Sequence, residues 1–263
     1  MKKYIAILFI FPFLAACSRI ESGDTGMEYV KITLDPQITA EVSAGPASKA
    51  APELGLCDIQ CFVYDADAGN WSGPIIQDKI SGSLYTYIIP KMSNAVLQFA
   101  VCSGNVQYTL ADGNPDITFS CEPAFQDGTY LYASDRHYYA TDGEVSISAT
   151  LEQKHYNLDI GLKFTNMPYL PEEFIRKWTF EAQSSDDNLY PLGQLLGLES
   201  MSQEADTETG EIYYRYRTSG ICNSLYNIIF YFDTFDNKIY NCPQYVGDYK
   251  NFKGNFTIDY NNL

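Results

Sequence analysis

Histidine is almost missing from this 263-residue chain, with only His137 and His155 present. Neither stands in a His-Glu-x-x-His helix, a nucleophile elbow or a Gly-rich phosphate loop, so the chemistries built on those motifs have no anchor here. Both read as surface residues. No Cys-x2-Cys spacing accompanies them, which removes the usual zinc frameworks. Basic residues are scarce as well, 17 against 33 acidic, for a formal net charge of −16. That excess repels phosphate backbones and anionic head groups and excludes nucleic acid as a natural partner. Long apolar runs are lacking too: the one from Tyr4 to Leu14 covers about ten residues, too short for ~30 Å of hydrocarbon. The 33 acids leave room for a glycosidase-like carboxylate pair, but no sequence displays the ~5 or ~6.5 to 9.5 Å separation that would identify one. The chain reads as a non-enzyme with no cofactor and no metal.

What the N-terminus does carry is an export pattern. Lys2 and Lys3 precede the apolar run, and small Ala15 and Ala16 lead into Cys17. Residues 1–16 are therefore a signal peptide, cut between Ala16 and Cys17. Leu14-Ala15-Ala16-Cys17 also resembles the bacterial lipobox, which places lipid on Cys17. A multiply acylated cysteine anchors a protein stably, whereas one lipid chain holds it only marginally. The mature chain is expected in the outer membrane, tethered through its lipid at the cell surface, with a formal charge of −18 once Lys2 and Lys3 are gone. Residues 17–28, polar with Gly23 and Gly26, form a leash.

Beyond the leash the pattern is β. Tyr29 to Leu34 alternates with Val30, Ile32 and Leu34 on one face, the period of a half-buried strand. Pro36 to Pro52, rich in Ala, Ser, Gly and Pro, is expected to be an exposed loop in which Lys49 is the single basic residue. Leu56 to Tyr64 is expected as a strand with Cys57, Ile59, Cys61 and Val63 on one face. It ends at Asp65-Ala66-Asp67-Ala68-Gly69-Asn70, which lacks the later bidentate acid of a calcium loop and reads as a solvated hairpin turn. Runs at Leu84 to Ile89, Ala95 to Val101 and Asp116 to Ser120 are separated by Gly, Asn and Pro turn signals, the punctuation of a β-sandwich.

The clearest pattern runs from Val145 to Phe164. Val145, Ile147, Ala149 and Leu151 point one way, then Tyr156, Leu158, Ile160, Leu162 and Phe164 point the same way, so inward parity changes from odd to even across Glu152 to Lys154. A one-residue slip turns every side chain over, so the chain must bulge, turn or change sheets there. A domain boundary at this point gives 29–153 and 154–263. In the second half, Pro171-Glu172-Glu173 followed by Phe174 and Ile175 predicts one short helix. Trp178 to Ala182, Ile212 to Thr218, Leu225 to Phe232 and Phe256 to Tyr260 are predicted strands. Glu199 to Glu211, acidic and polar, is expected to be a mobile surface loop.

With Cys17 taken by lipid, Cys57, Cys61, Cys102 and Cys121 remain in the first half and Cys222 and Cys242 in the second. An even number in an oxidising compartment favours disulfides. Cys57 and Cys61 in one extended strand would lie ~13 Å apart, beyond the ~7 Å a disulfide spans. Each would then have to reach Cys102 or Cys121. The alternative is that some are buried thiols acting as small apolar residues.

A lipobox, a strand, a Ser/Ala/Pro loop with one basic residue, the strand Ile59-Gln60-Cys61-Phe62-Val63-Tyr64 ending in an aspartate turn, and the alternating join at Val145 to Phe164 together resemble the fimbrillin superfamily of Bacteroidales pilus subunits and anchor lipoproteins. The resemblance covers nearly the whole mature chain. It implies an all-β fold of two transthyretin-like β-sandwich domains in tandem with little helix. It also implies assembly with other pilus subunits by donor-strand pairing, in which cleavage after a basic residue frees the first strand. Here that cleavage would fall between Lys49 and Ala50, although stalk members more often carry arginine, and the exchanged residues would be Val30, Ile32 and Leu34. Anchor members keep their lipid and hold the pilus base. Adhesion through a host or bacterial surface receptor belongs to the same picture. The rival function is a glycan-binding surface lipoprotein of a polysaccharide-uptake system, for which the 39 aromatic residues could supply stacking platforms. Aromatics in period-2 strands are ordinarily core, so only a flat exposed cluster would favour the rival.

Overall fold

The computed structural model describes residues 28–39, 52–139, 143–237 and 239–262. The expected signal peptide, the expected lipidation point at Ala16 and Cys17, most of the expected leash and the expected cleavage point between Lys49 and Ala50 lie outside the described residues. The chain is nearly all β. Its first half contains β1 (Tyr29–Thr39), β2 (Gln60–Asp65), β3 (Asn70–Trp71), β4 (Lys79–Ser81), β5 (Leu84–Pro90), β6 (Ala95–Cys102), β7 (Val106–Leu110), β8 (Ile117–Cys121), β9 (Leu131–Ala133), β10 (His137–Tyr139) and β11 (Val145–Gln153). Its second half contains β12 (Tyr156–Thr165), the helix α1 (Pro171–Phe174), β13 (Ile175–Gln183), β14 (Leu189–Pro191), β15 (Ser202–Ala205), β16 (Ile212–Gly220), β17 (Asn227–Thr234), β18 (Ile239–Tyr245) and β19 (Asn251–Asp259). Among the described residues no helix is long and apolar enough to cross a membrane.

In the first half one sheet runs β3-β2-β6-β9-β11-β1-β5-β4, with β10 added beside β6. The sheet curls on itself. Ile32 and Leu34 of β1, Tyr85 and Tyr87 of β5 and Leu151 of β11 share one core with Cys61 and Val63 of β2 and Leu97 and Phe99 of β6. Tyr87 packs on Phe99 with ring centroids 5.7 Å apart, and its hydroxyl donates to the Ile59 carbonyl at 2.8 Å. On the outer side of β2 and β6, Phe62 and Ala100 meet Val106 and Cys121 of the β7–β8 hairpin and Ile221 of the second half.

The second half is a sandwich of two four-stranded sheets, β15-β16-β12-β19 and β14-β13-β17-β18. Leu158, Ile160 and Leu162 face Trp178, Phe180 and Phe230 across a single core. Aromatic edges interlock there, with Trp178 against Tyr216 at 5.0 Å and Phe230 against Phe256 at 5.6 Å.

The parity change coincides with a change of sheet. Ala149 and Leu151 enter the first core, Tyr156 and Leu158 enter the second, and β11 and β12 belong to different sheets. The halves also touch where Phe125 bridges Gly220, with Gln126 N–H bonded to the Ser219 carbonyl at 2.9 Å and Ile221 N–H to the Ala124 carbonyl at 3.0 Å. A Cβ on Gly220 would stand 2.4 Å from the Ala124 oxygen, so only glycine permits this approach.

Several expectations need correction. β1 does not stop before Pro36 but continues to Thr39, paired in parallel with β11 from Ile32↔Val145 to Thr39↔Glu152. Its other neighbour, β5, pairs only as far as Leu34↔Tyr85. Pro36 therefore lies where one side of the strand is unpaired, and a missing N–H is tolerated there. The strand expected from Leu56 begins at Gln60, because Glu53 to Leu56 turns through Gly55 at φ 87°. Ile175 opens β13 instead of continuing the helix. Within the supposed mobile loop Glu199 to Glu211, Ser202–Ala205 forms a strand on β16, held by two bonds from Arg217 to Glu204 at 2.8 and 2.7 Å. His155 is buried, not superficial, its Nδ1 against the backbone of Leu131.

Candidate functional site

Alternation alone marks Val30, Ile32 and Leu34 as one face of a strand, and the fold gives that strand an internal place. β1 lies between β11, to which it is parallel, and β5, to which it is antiparallel. Val30 is 6% exposed and Ile32 and Leu34 are wholly buried. Outward, Lys31 pairs with Glu144 at 3.3 Å. At the strand's start Lys91 meets Glu28 at 2.5 Å and holds that carboxyl below the usual range. Withdrawing β1 would uncover Tyr85, Tyr87 and Ile89 on one side and Ala149 and Leu151 on the other, with two rows of backbone groups unpaired. The walls of that lane are stiff. Burial pushes the Tyr85 hydroxyl up to about 12, and the hydroxyl both accepts from Gly55 N–H at 2.8 Å and donates to the Cys57 carbonyl at 3.1 Å.

The six cysteines expected in disulfides are all free thiols. Alternation along β2 and β6 explains part of this. Cys61 faces the main core, whereas Cys102 and Cys121 belong to the cluster on the opposite side of the sheet. Burial pushes the Cys61 thiol upward, away from reactivity. Cys57 lies partly buried beside Tyr85, its Sγ 3.7 Å from the hydroxyl. Cys222 is buried in the second core and Cys242 packs against it from β18. Burial raises the Cys222 thiol to about 12.

Asp65, in the turn that faintly resembles a calcium loop, accepts from the backbone N–H groups of Asp67 and Ala68 at 2.9 and 3.0 Å, as a hairpin turn does. Among the described residues no group of three His, Cys, Asp or Glu could hold a metal. Sequence reasoning missed one constellation, on the outer face of the sheet β15-β16-β12-β19. Arg215, with its side chain 4% exposed, donates to Asp159 at 2.6 Å and to Asn255 at 2.5 Å. Arg217 reaches Asp159 at 3.3 Å and grips Glu204, holding that carboxyl down at about 2. The cue was the alternation of Tyr213, Arg215 and Arg217 on one face, opposite Tyr214 and Tyr216. With both carboxylates committed to guanidinium groups, the network ties strands together and leaves no free acid or base.

Exposed aromatics gather at one end of the second half. Tyr226, Tyr245 and Tyr249 are 47%, 68% and 65% exposed. Tyr226 and Tyr245 meet at 5.0 Å with planes at 76°, edge to face, so they do not form the flat platform that sugar stacking favours.

No protein-family model matches the chain, and no curated protein matches it. Solved structures do. A putative adhesin from Bacteroides thetaiotaomicron VPI-5482 is 14% identical, with a TM-score of 0.54 over 89% of this chain and 93% of that one. A putative adhesin from Bacteroides ovatus is 11% identical, with a TM-score of 0.47 over 90% of each chain. The fimbrial anchor protein Mfa2 from Porphyromonas gingivalis is 9% identical, with a TM-score of 0.48 over 87% of this chain and 90% of that one. The first of these establishes the shared fold along nearly the full length.

Proposed function

We propose that the chain is a surface lipoprotein, lipidated at Cys17, that serves as an anchor or accessory subunit of a fimbria in adhesion, with two sandwich domains meeting near Glu152 to Lys154. The observation that carries this reading is the place of β1. The first strand of the described chain is internal to its sheet, a position from which one removable strand opens an apolar groove flanked by backbone partners on both sides.

Energetics decide how such a strand behaves. Burying Val30, Ile32 and Leu34 contributes about 5 to 9 kcal/mol at 1.5 to 3 kcal/mol per side chain, comparable to the whole stability of a typical domain, about 5 to 15 kcal/mol. β1 therefore stays in place unless the chain is cut and a donor replaces it. Retention describes an anchor. Cleavage after Lys49 followed by replacement describes a polymerising subunit.

Sequencing the N-terminus of protein recovered from sheared filaments separates the two. A blocked, lipidated Cys17 supports the anchor and Ala50 supports exchange. Absence from filaments under conditions where they are made rejects both. A glycan-binding role is the rival reading; the edge-to-face packing of Tyr226 on Tyr245 speaks against it, and a glycan array that lights up for the protein but not for a Tyr245→Ala variant would establish it.

A further inference from the structure

The chain crosses from the first half to the second over Gln153-Lys154-His155, and an imidazole stands at that crossing where a backbone rung would be. β9 pairs with β11 at Ala133↔Glu152 and Tyr132↔Gln153. One residue further along, the Leu131 carbonyl still accepts from the Lys154 N–H at 2.9 Å. An antiparallel ladder would return the Leu131 N–H to the Lys154 carbonyl. Here it donates instead to His155 Nδ1 at 3.2 Å. Leu131 is 2% and His155 4% exposed, so a backbone donor shut away from water depends on a side chain that can titrate.

The same ring is tied into the second half. Its Nε2 lies 3.4 Å from Asn157 Nδ2, and the Asn157 amide is oriented by donating to Asn251 Oδ1 at 2.7 Å. Gln153 Nε2 donates to the His155 carbonyl at 3.1 Å and to Asn251 Oδ1 at 3.2 Å. One imidazole thus joins β9 of the first half to β12 and β19 of the second. Two donors face it. A neutral imidazole has one lone pair and accepts from one of them, whereas an imidazolium has none and accepts from neither. A proton on Nδ1 could be donated to the Leu131 carbonyl, 3.1 Å away, but the Leu131 N–H would then be buried without an acceptor.

No carboxylate among the described residues bonds to the ring. From β9 it meets the Tyr132 ring edge to face at 5.2 Å. In the crossing, Lys154 is turned to Glu152 at 2.8 Å. Ahead of β19, Lys250 holds its Nζ 3.9 Å from the centre of the Tyr156 ring. Burial pushes the imidazole below its usual value, the Lys250 ammonium adds to that, and the Leu131 carbonyl opposes them only in part.

We propose that His155 is an acid-sensitive latch between the two halves: neutral, it closes the β9 end of the junction, and protonated, it releases Leu131 and frees the crossing Gln153–His155 while both cores stay folded. In the opened form the exposed ring takes up a proton near about 6.5, and in the closed form only at lower pH. The latch is therefore complete above that value and weakens as pH falls below it. At about pH 5, roughly 1.5 units lower, opening gains at most about thirtyfold. The bonds between Ala124–Gln126 and Ser219–Ile221 run from backbone to backbone and do not titrate, so the halves stay joined there. The latch stands on the fold alone and does not depend on a fimbrial role.

The test is residue-resolved amide exchange of the full chain carrying Cys17→Ser between about pH 7.5 and about pH 5, with rates corrected for the intrinsic pH dependence of exchange. Protection at Leu131 and Lys154 should fall by about ten- to thirtyfold, while Leu34 in the first core and Ile160 in the second should change by less than about threefold. His155→Gln keeps an acceptor for the Leu131 N–H but cannot titrate, and should leave the Leu131 profile flat. His137→Gln should leave the fall in place. Protection at Leu131 that does not change with pH overturns the proposal. So does a fall that survives in His155→Gln, which would assign the proton to another group, or one shared equally by Leu34 and Ile160, which would be unfolding of the whole chain. If the variant does not fold, the ring-carbon shift of His155 in the parent protein decides: it should titrate below about 6.5, and a midpoint at or above that value overturns the proposal.

Discussion

Replacing Ile32 by alanine measures how firmly the first strand is built in. Ile32 is fully buried, and its backbone is flanked by Tyr87 on β5 and Val145 on β11. Isoleucine-to-alanine changes in cores cost about 2 to 5 kcal/mol, more where the surroundings cannot collapse. A strand fixed on both sides has little freedom to close the hole, so about 3 to 5 kcal/mol is expected. With an m value of about 2 kcal/mol/M, usual for a domain of this size in urea, the midpoint should fall by about 1.5 to 2.5 M. The two tryptophans make the assay local. Trp71 lies on β3 of the first half and Trp178 in the second core. In a Trp178→Phe background the remaining Trp71 signal should shift by that amount on Ile32→Ala. In a Trp71→Phe background the Trp178 signal should move by less than about 0.5 kcal/mol, as independent distant sites do. A shift below about 1 kcal/mol in the first background would refute the internal role of β1. Equal shifts in both would refute the division into two domains.

Three further outcomes follow from the same geometry. Asp159→Ala leaves Arg215 buried without its carboxylate and should destabilise the Trp178-reported half by about 3 to 5 kcal/mol, and a loss under about 1 kcal/mol in urea unfolding would show that the network is not structural. Arg217 depresses the Glu204 carboxyl to about 2 in the folded chain, below the unfolded value of ~4.3; its contribution is therefore complete above that unfolded value and lost as pH falls through about 2, and, being a third exposed, it should amount to less than about 1 kcal/mol. Glu204→Gln should flatten that part of the stability–pH curve, and an unchanged slope would contradict the assignment. Denatured Cys17→Ser protein, purified without reductant, should react at all six remaining cysteines, with Cys61 unreactive until unfolding; fewer than six thiols on denaturation would mean that disulfides form.

The period-2 alternation in single stretches was enough to locate most strands, because a sheet with one buried face must alternate. It was also enough to mark the turnover between Leu151 and Tyr156, where side chains on successive strands enter different cores. Charge and the poverty of histidine were legible as composition. The rest depended on partners remote in sequence. Pro36 to Thr39 looks like a loop by its own residues and becomes strand through β11, more than a hundred positions away. Ser202 to Ala205 looks like a solvated acidic tract and becomes strand because Arg215 and Arg217 stand opposite Glu204. The cysteines divide between two faces of one sheet, which no count of cysteines reveals. Above all, sequence order placed β1 first, while only tertiary pairing placed it inside its sheet. A strand's neighbours are chosen by long-range hydrogen bonding and shared core, and neither is written in the residues of the strand itself.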